Sequence, residues 1–148
     1  MQDKSSEYRI LREQTLQLLC QFDAGNEDVA RITQTPFDED SSLTFNPDNK
    51  ALVLAKEVWE DRLEGDAQIE ALTPQWPIQR QPLIDRNIIR LARYEIISGM
   101  TPPVAAIDEA VELARIYSTE KSSSFVNGVL DNLYHQMMSM NTAEEKKK

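Results

Sequence analysis

Apolar residues recur at three- and four-residue spacing along almost the whole chain, and nothing in it reads as a hairpin. There are only four glycines, and no Asn-Gly or Asp-Gly pair lies between alternating apolar runs. A 3.6-residue period builds a continuous apolar stripe on a helix, whereas a half-buried strand needs a period of two. The fold class that follows is all-α.

The stripes can be read segment by segment. A first helix is expected from about Tyr8 to Phe22, with Tyr8, Leu11, Thr15, Leu18, Leu19 and Phe22 inward. The acidic, turn-rich stretch over residues 24–49 is a variable loop region, with one short helix expected near Glu27–Ile32. Helix resumes from Pro47 to about Leu63, on Leu52, Ala55, Trp59 and Leu63. A turn at Gly65 then leads to a shorter helix ending near Trp76. Between Pro82 and Ser98 the stripe is Ile84, Ile88, Leu91 and Ala92, and Gly99 ends the helix in C-cap style.

Next, Thr101 is the expected N-cap of a helix with proline in its first turn. Its apolar side is Val104, Ile107, Ala110, Val111, Ala114 and Tyr117, and its acidic side is Asp108, Glu109 and Glu112. A last helix runs to about Met140, with Phe125 at the edge of an apolar arc formed by Val126, Val129, Leu130, Leu133 and Met137. Residues 1–7 and 141–148 are expected to be flexible ends of a single domain spanning 1–148.

Two residues stand out against this pattern. Gly128 falls on the polar arc of the last helix, where a glycine costs ~1 kcal/mol relative to alanine. Bare backbone there points to close approach by another helix of the fold or by a ligand. Glu95 continues the Ile84–Ile88–Leu91 stripe, so it is expected to be at least half buried and to need a partner such as Arg90 or Arg115.

Composition narrows the functional classes. A single cysteine excludes an internal disulfide and a zinc cluster. No apolar run approaches the ~20 residues of a membrane span, and the first residues lack a signal-peptide pattern. A cytoplasmic protein is the simplest expectation. The net charge of −9 argues against non-specific nucleic-acid binding but permits either a small basic patch on an acidic body or an acidic face that meets a basic partner. Phosphate-loop and hydrolase motifs are missing, so no enzyme, metal or cofactor is expected. Cys20 and His135 as a nucleophilic dyad are outweighed by a packed cysteine and a solvated histidine, and Trp59 and Trp76 read as core anchors rather than base-stacking platforms.

The stretch "QWPIQRQPLIDRNIIRLARYEIISGMTPPVAAIDEAVELARIYSTEKSSSFVNGVLDNL" closely resembles the C-terminal half of the NusB transcription antitermination family. The tryptophan before the long helix, "IDRNIIRLARYEI", "PPVAAIDEAVELAR" and "FVNGVLD" come in the family's order and separations. "YRILREQTLQLL" resembles its first helix more loosely. The resemblance implies two small helical bundles packed into one domain. It also implies a non-enzymatic factor that binds boxA-type RNA of ribosomal RNA leaders together with the NusE ribosomal protein, on the RNA polymerase elongation complex.

Read together with the resemblance, RNA binding is expected of Arg9 and Arg12 near the chain start, with Tyr8 to stack on a base, and of Ser122, Ser124, Phe125 and Asn127 at the start of the last helix. Asp85 is the acid expected to face the NusE partner, or equally a first-turn acid favoured by its own helix dipole. The family's basic stretch retains only Arg9 and Arg12 here, and its basic residue before the phenylalanine is Ser124. Arg9, Arg12, Leu16 and Cys20 are spaced along one flank of the first helix, and the N–H groups that open the last helix are candidates to bind a phosphate. Two alternatives stay open: a protein-assembly module with weakened RNA binding, and the NusB-like start of a ribosomal RNA cytosine methyltransferase, which would need a following Rossmann domain beyond Lys148. The family contains monomers and dimers, so a homodimer is left open.

Overall fold

The computed structural model describes residues 4–25 and 49–146. Among these residues there are six α-helices, one 3-10 turn and no strand, as the periodicity requires. The helices are α1 (Lys4–Asp23), α2 (Lys50–Glu60), α3 (Arg62–Leu72), α4 (Leu83–Ile97), α5 (Pro103–Tyr117) and α6 (Glu120–Lys146), with the 3-10 turn at Ile78–Arg80. The short helix expected near Glu27–Ile32 lies outside the described residues. The chain divides into two compact units at Asp61 and Arg62.

In the first unit α1 packs on α2. Leu18, Leu19 and Phe22 of α1 and Ala55 and Val58 of α2 are almost fully buried. The Phe22 and Trp59 rings meet at 6.0 Å. Each such large side chain contributes about 1.5–3 kcal/mol by leaving water. Asn49 starts α2: its Oδ1 accepts from the N–H groups of Ala51 (3.0 Å) and Leu52 (3.3 Å). The inward arc of α1 differs from expectation. Leu16 is core, while Tyr8 is exposed and Leu11 half-buried.

The second unit is built on α4. Helices α3, α5 and α6 all pack against it, and α5 pairs with α6 along its length. The stripe on α6 is buried as its period requires: Val126, Leu130 and Leu133 are inaccessible and Val129 nearly so. The α6 backbone stays helical to Lys146, six residues past the expected end.

Three local expectations are corrected. Gly65 is not a turn but a buried residue inside α3, and the helix break falls at Asp61. The Arg93 side chain lies so close over Gly65 that an added Cβ would stand 2.8 Å from its Nη1. Leu63 and Val104, assigned to apolar stripes, are exposed. Thr101 does not cap α5; Pro102 holds that position with no side-chain bond. Thr101 Oγ1 instead donates to Glu95 Oε2 at 2.7 Å, and both residues are buried. Glu95 is thus more deeply buried than the stripe alone required.

The two arginines proposed for Glu95 also make ion pairs of their own. Arg90 forms a bidentate pair with Asp66 at 2.9 and 2.7 Å, joining α4 to α3, and Arg115 reaches Glu112 at 2.9 Å. Gly99 ends α4 as expected, with φ 75° and its N–H on the Ile96 carbonyl.

Candidate functional site

The α4–α5 and α5–α6 connections fix where α6 begins. Thr119 is its N-cap: Thr119 Oγ1 accepts from the Ser122 N–H at 3.0 Å. The Ser122 hydroxyl donates to Asp85 Oδ2 at 2.7 Å and accepts from the Ser118 hydroxyl at 2.9 Å. Asp85 is 1% exposed and Ser122 9% exposed. A carboxylate of this protein therefore already sits at the positive end of α6. That corrects two expectations. Asp85 does not face a partner but ties α4 to the start of α6, and one N–H of the opening turn is taken by Thr119 rather than left for a phosphate. Ser122 belongs to that internal network.

The other residues expected on α6 do reach the surface. Ser124 and Asn127 are exposed and Phe125 is half-buried. Ser123, Ser124 and Asn127 form one wall of an open groove of about 470 Å³, and Asp108, Val111, Glu112 and Arg115 of α5 form the other. The groove is polar, with hydroxyl, amide, carboxylate and guanidinium groups, so it can offer both donors and acceptors to a ligand.

Phe125 packs its ring against Trp76 at 4.4 Å and 57°. Trp76 is 37% exposed, so it is not the core anchor expected of it. The signal that could have shown this is the flanking sequence, Pro74, Pro77 and Pro82, which breaks the helical ladder and leaves the indole on a connection rather than on a helix stripe. Together the two rings form a partly exposed aromatic surface beside the start of α6.

In the first unit, Tyr8 and Arg9 are exposed near the start of α1. Arg12 is 6% exposed, with its guanidinium carbon 5.2 Å from the centre of the Tyr8 ring. The ring's quadrupole attracts the guanidinium, and Tyr8 itself stays 44% exposed. The flank expected to carry Arg9, Arg12, Leu16 and Cys20 is thus mostly covered, and Arg9 is its most exposed member.

Gly128 is exposed, and an added Cβ would meet nothing within 4 Å. Among the described residues no other helix packs against this glycine, so the first of the two reasons considered for it finds no support there. His135 is also exposed, its Nδ1 2.8 Å from the Asp131 carbonyl oxygen. Among the described residues no cluster of His, Cys, Asp and Glu is arranged to hold a metal ion, and no helix is long and apolar enough to cross a membrane.

Comparison with known proteins agrees with this architecture. Residues 9–135 match the model of the NusB family. The chain is 38% identical to the transcription antitermination protein NusB of Solibacter usitatus, over 87% of this chain and 89% of that one. It is 36% identical to the NusB of Elusimicrobium minutum, over 84% and 91% of the two chains. Among solved structures, T. maritima NusB is 32% identical and superposes with a TM-score of 0.69 over 84% of this chain and 87% of that one. A chain in a structure described as a plectonemic RNA supercoil shares the fold at 23% identity, with a TM-score of 0.71 over 88% of this chain and 96% of that one. The chain belongs to the NusB family of transcription antitermination proteins.

Proposed function

We propose that this protein binds single-stranded boxA-type RNA of ribosomal RNA leaders together with a NusE-type ribosomal protein, in the cytoplasm, as a non-enzymatic part of an RNA polymerase elongation complex. The partly exposed Trp76–Phe125 ring pair carries the RNA half of the proposal, and the polar groove between α5 and α6 lies on a different face of α6. Single-stranded RNA is recognised by stacking unpaired bases on aromatic rings and by hydrogen bonds to their edges. Trp76 and Phe125 supply the rings, and Ser124 and Asn127 stand on the same helix to bond base or sugar. Tyr8 and Arg9, with Arg12 behind the ring, offer a second stacking and phosphate contact on α1. Ser122 acts one step back, by holding the start of α6. The acids Asp108, Glu109 and Glu112 on α5, rather than the buried Asp85, offer the charge for a basic partner.

A second reading is favoured by a specific observation. With a net charge of −9 and the Asp85 carboxyl bonded to the Ser122 hydroxyl in the first turn of α6, the chain has little to attract phosphates by itself. RNA affinity then depends on the partner, and protein assembly becomes the main role. Fluorescence anisotropy of a labelled boxA-type oligonucleotide, with and without the NusE-type protein and across a salt series, separates the two. Weak RNA binding alone that tightens with the partner supports the proposal. RNA binding that stays undetectable with the partner present leaves only the assembly role. Calorimetry on the separate components is expected to give tighter binding to the partner than to RNA, and the reverse order would contradict the charge argument.

A further inference from the structure

Gln81 is a polar side chain with 3% exposure, placed between the 3-10 turn and α4. Its amide Nε2 donates to the Trp76 carbonyl oxygen at 3.1 Å, while its Oε1 is buried without a hydrogen-bond partner among the described residues. The orientation of the amide is forced, because a carbonyl can only accept. A buried amide that leaves its own oxygen unsatisfied gives up stability to keep that one bond. The backbone bonds of the segment itself are short-range: the Trp76 N–H bonds the Thr73 carbonyl at 3.0 Å, the Arg80 N–H the Pro77 carbonyl at 2.9 Å and the Gln81 N–H the Ile78 carbonyl at 3.1 Å, while Ile78 is buried and Pro77 and Pro82 carry no N–H at all. Trp76 lies outside any helix, so no helical ladder holds its carbonyl.

We infer that Gln81 is a positioning residue for RNA: by clamping the Trp76 backbone it keeps the indole against Phe125 in the orientation that stacks a base. The inference rests on the reading of Trp76 and Phe125 as an RNA-stacking surface. Stacking a base on an aromatic ring favours binding, and only if the ring is already ordered does binding avoid the cost of fixing it. An indole on an unclamped, proline-flanked connection would meet that cost on binding.

Gln81→Met tests this, since it keeps length and apolar fit while removing both the donor and the orphan oxygen. The protein is labelled with fluorotryptophan, and its two indoles are followed by fluorine NMR. Trp59, buried against Phe22 in the other unit, reports whether the fold is intact. The expected result is a Trp76 resonance that moves toward that of free tryptophan, an unmoved Trp59 resonance, and a loss of boxA-type oligonucleotide affinity of about three- to tenfold. Adding Gln81→Met to Trp76→Ala should cost nothing further, because the clamp then has nothing to position. If Trp76→Ala weakens RNA binding but Gln81→Met changes neither the Trp76 resonance nor the affinity, the positioning role is overturned and the stacking surface stands. If Trp76→Ala leaves RNA affinity unaltered, the stacking surface itself is overturned, and with it any role of Gln81 toward RNA.

Discussion

Two helical glycines in the same unit should respond differently to the same substitution. Gly128 lies in the middle of α6, exposed, with nothing within 4 Å of an added Cβ. Its φ is not positive, so alanine fits the backbone without strain. Gly128→Ala is therefore expected to stabilise the unit by about 1 kcal/mol, the helix-propensity difference, raising the melting temperature by roughly 2–4 °C for a chain of this size. Gly65 has the same propensity to gain, but its Cβ would meet Arg93 Nη1 at 2.8 Å and Arg93 Cδ and Cζ at 3.3 Å. Arg93 is 4% exposed and its Nε bonds Gln68 Oε1 at 2.7 Å, so it has little room to yield. Overpacking of this kind costs about 1–3 kcal/mol, which leaves Gly65→Ala between neutral and about 2 kcal/mol destabilised.

Urea unfolding followed by circular dichroism measures both, with unchanged slopes required for a stability interpretation. A neutral or destabilised Gly128→Ala, or equal responses at the two sites, would refute the reasoning. The same geometry sharpens the functional question. Gly128→Leu should leave folding unharmed, so any defect it causes must appear in binding of RNA or partner. No defect in either would make the glycine incidental.

The remaining expectations concern charge and buried polar groups. Replacing Arg9 and Arg12 together by alanine should lower the log-log salt slope of RNA binding in the partner complex by up to about two, and an unaltered slope and affinity would remove α1 from the RNA site. Because Arg12 is largely covered, that variant's helicity must first be shown intact by circular dichroism. Asp85→Ala should destabilise the protein by about 1–3 kcal/mol in urea unfolding, by stranding the Ser122 hydroxyl at the start of α6. A loss no larger than that of an exposed acid such as Glu120 would show that the tie is idle. Thr101→Val preserves shape but leaves the Glu95 carboxyl without its 2.7 Å donor, and should cost a similar amount by the same assay, whereas the exposed Thr119→Val should cost only the ~1 kcal/mol of a lost N-cap.

The amino-acid sequence by itself determined the all-α class, the termination of α4 at Gly99 and the buried face of α6. Each depends on a rule that operates over a few residues. A 3.6-residue period places Val126, Val129, Leu130 and Leu133 on one side of any helix they form, and a glycine with positive φ ends one wherever it occurs. The family resemblance was legible for the same reason, as short motifs in a fixed order. Only the tertiary structure decided which polar side chains turn inward and which aromatic ones turn out. Asp85 meets Ser122 across 37 residues of sequence and Arg90 meets Asp66 across 24, so neither partner could be chosen from local spacing. Gly65 reads as a turn and Gly128 as a helical glycine, yet both lie inside helices and only Gly65 is overlaid by Arg93, a residue from another helix. Trp76 became part of an exposed ring pair because α6 brings Phe125 beside it, and the hydrophobicity of tryptophan alone would have buried it. A stripe is a property of one helix, but a hydrogen-bond partner or a stacked ring is a property of two elements and exists only once they have packed.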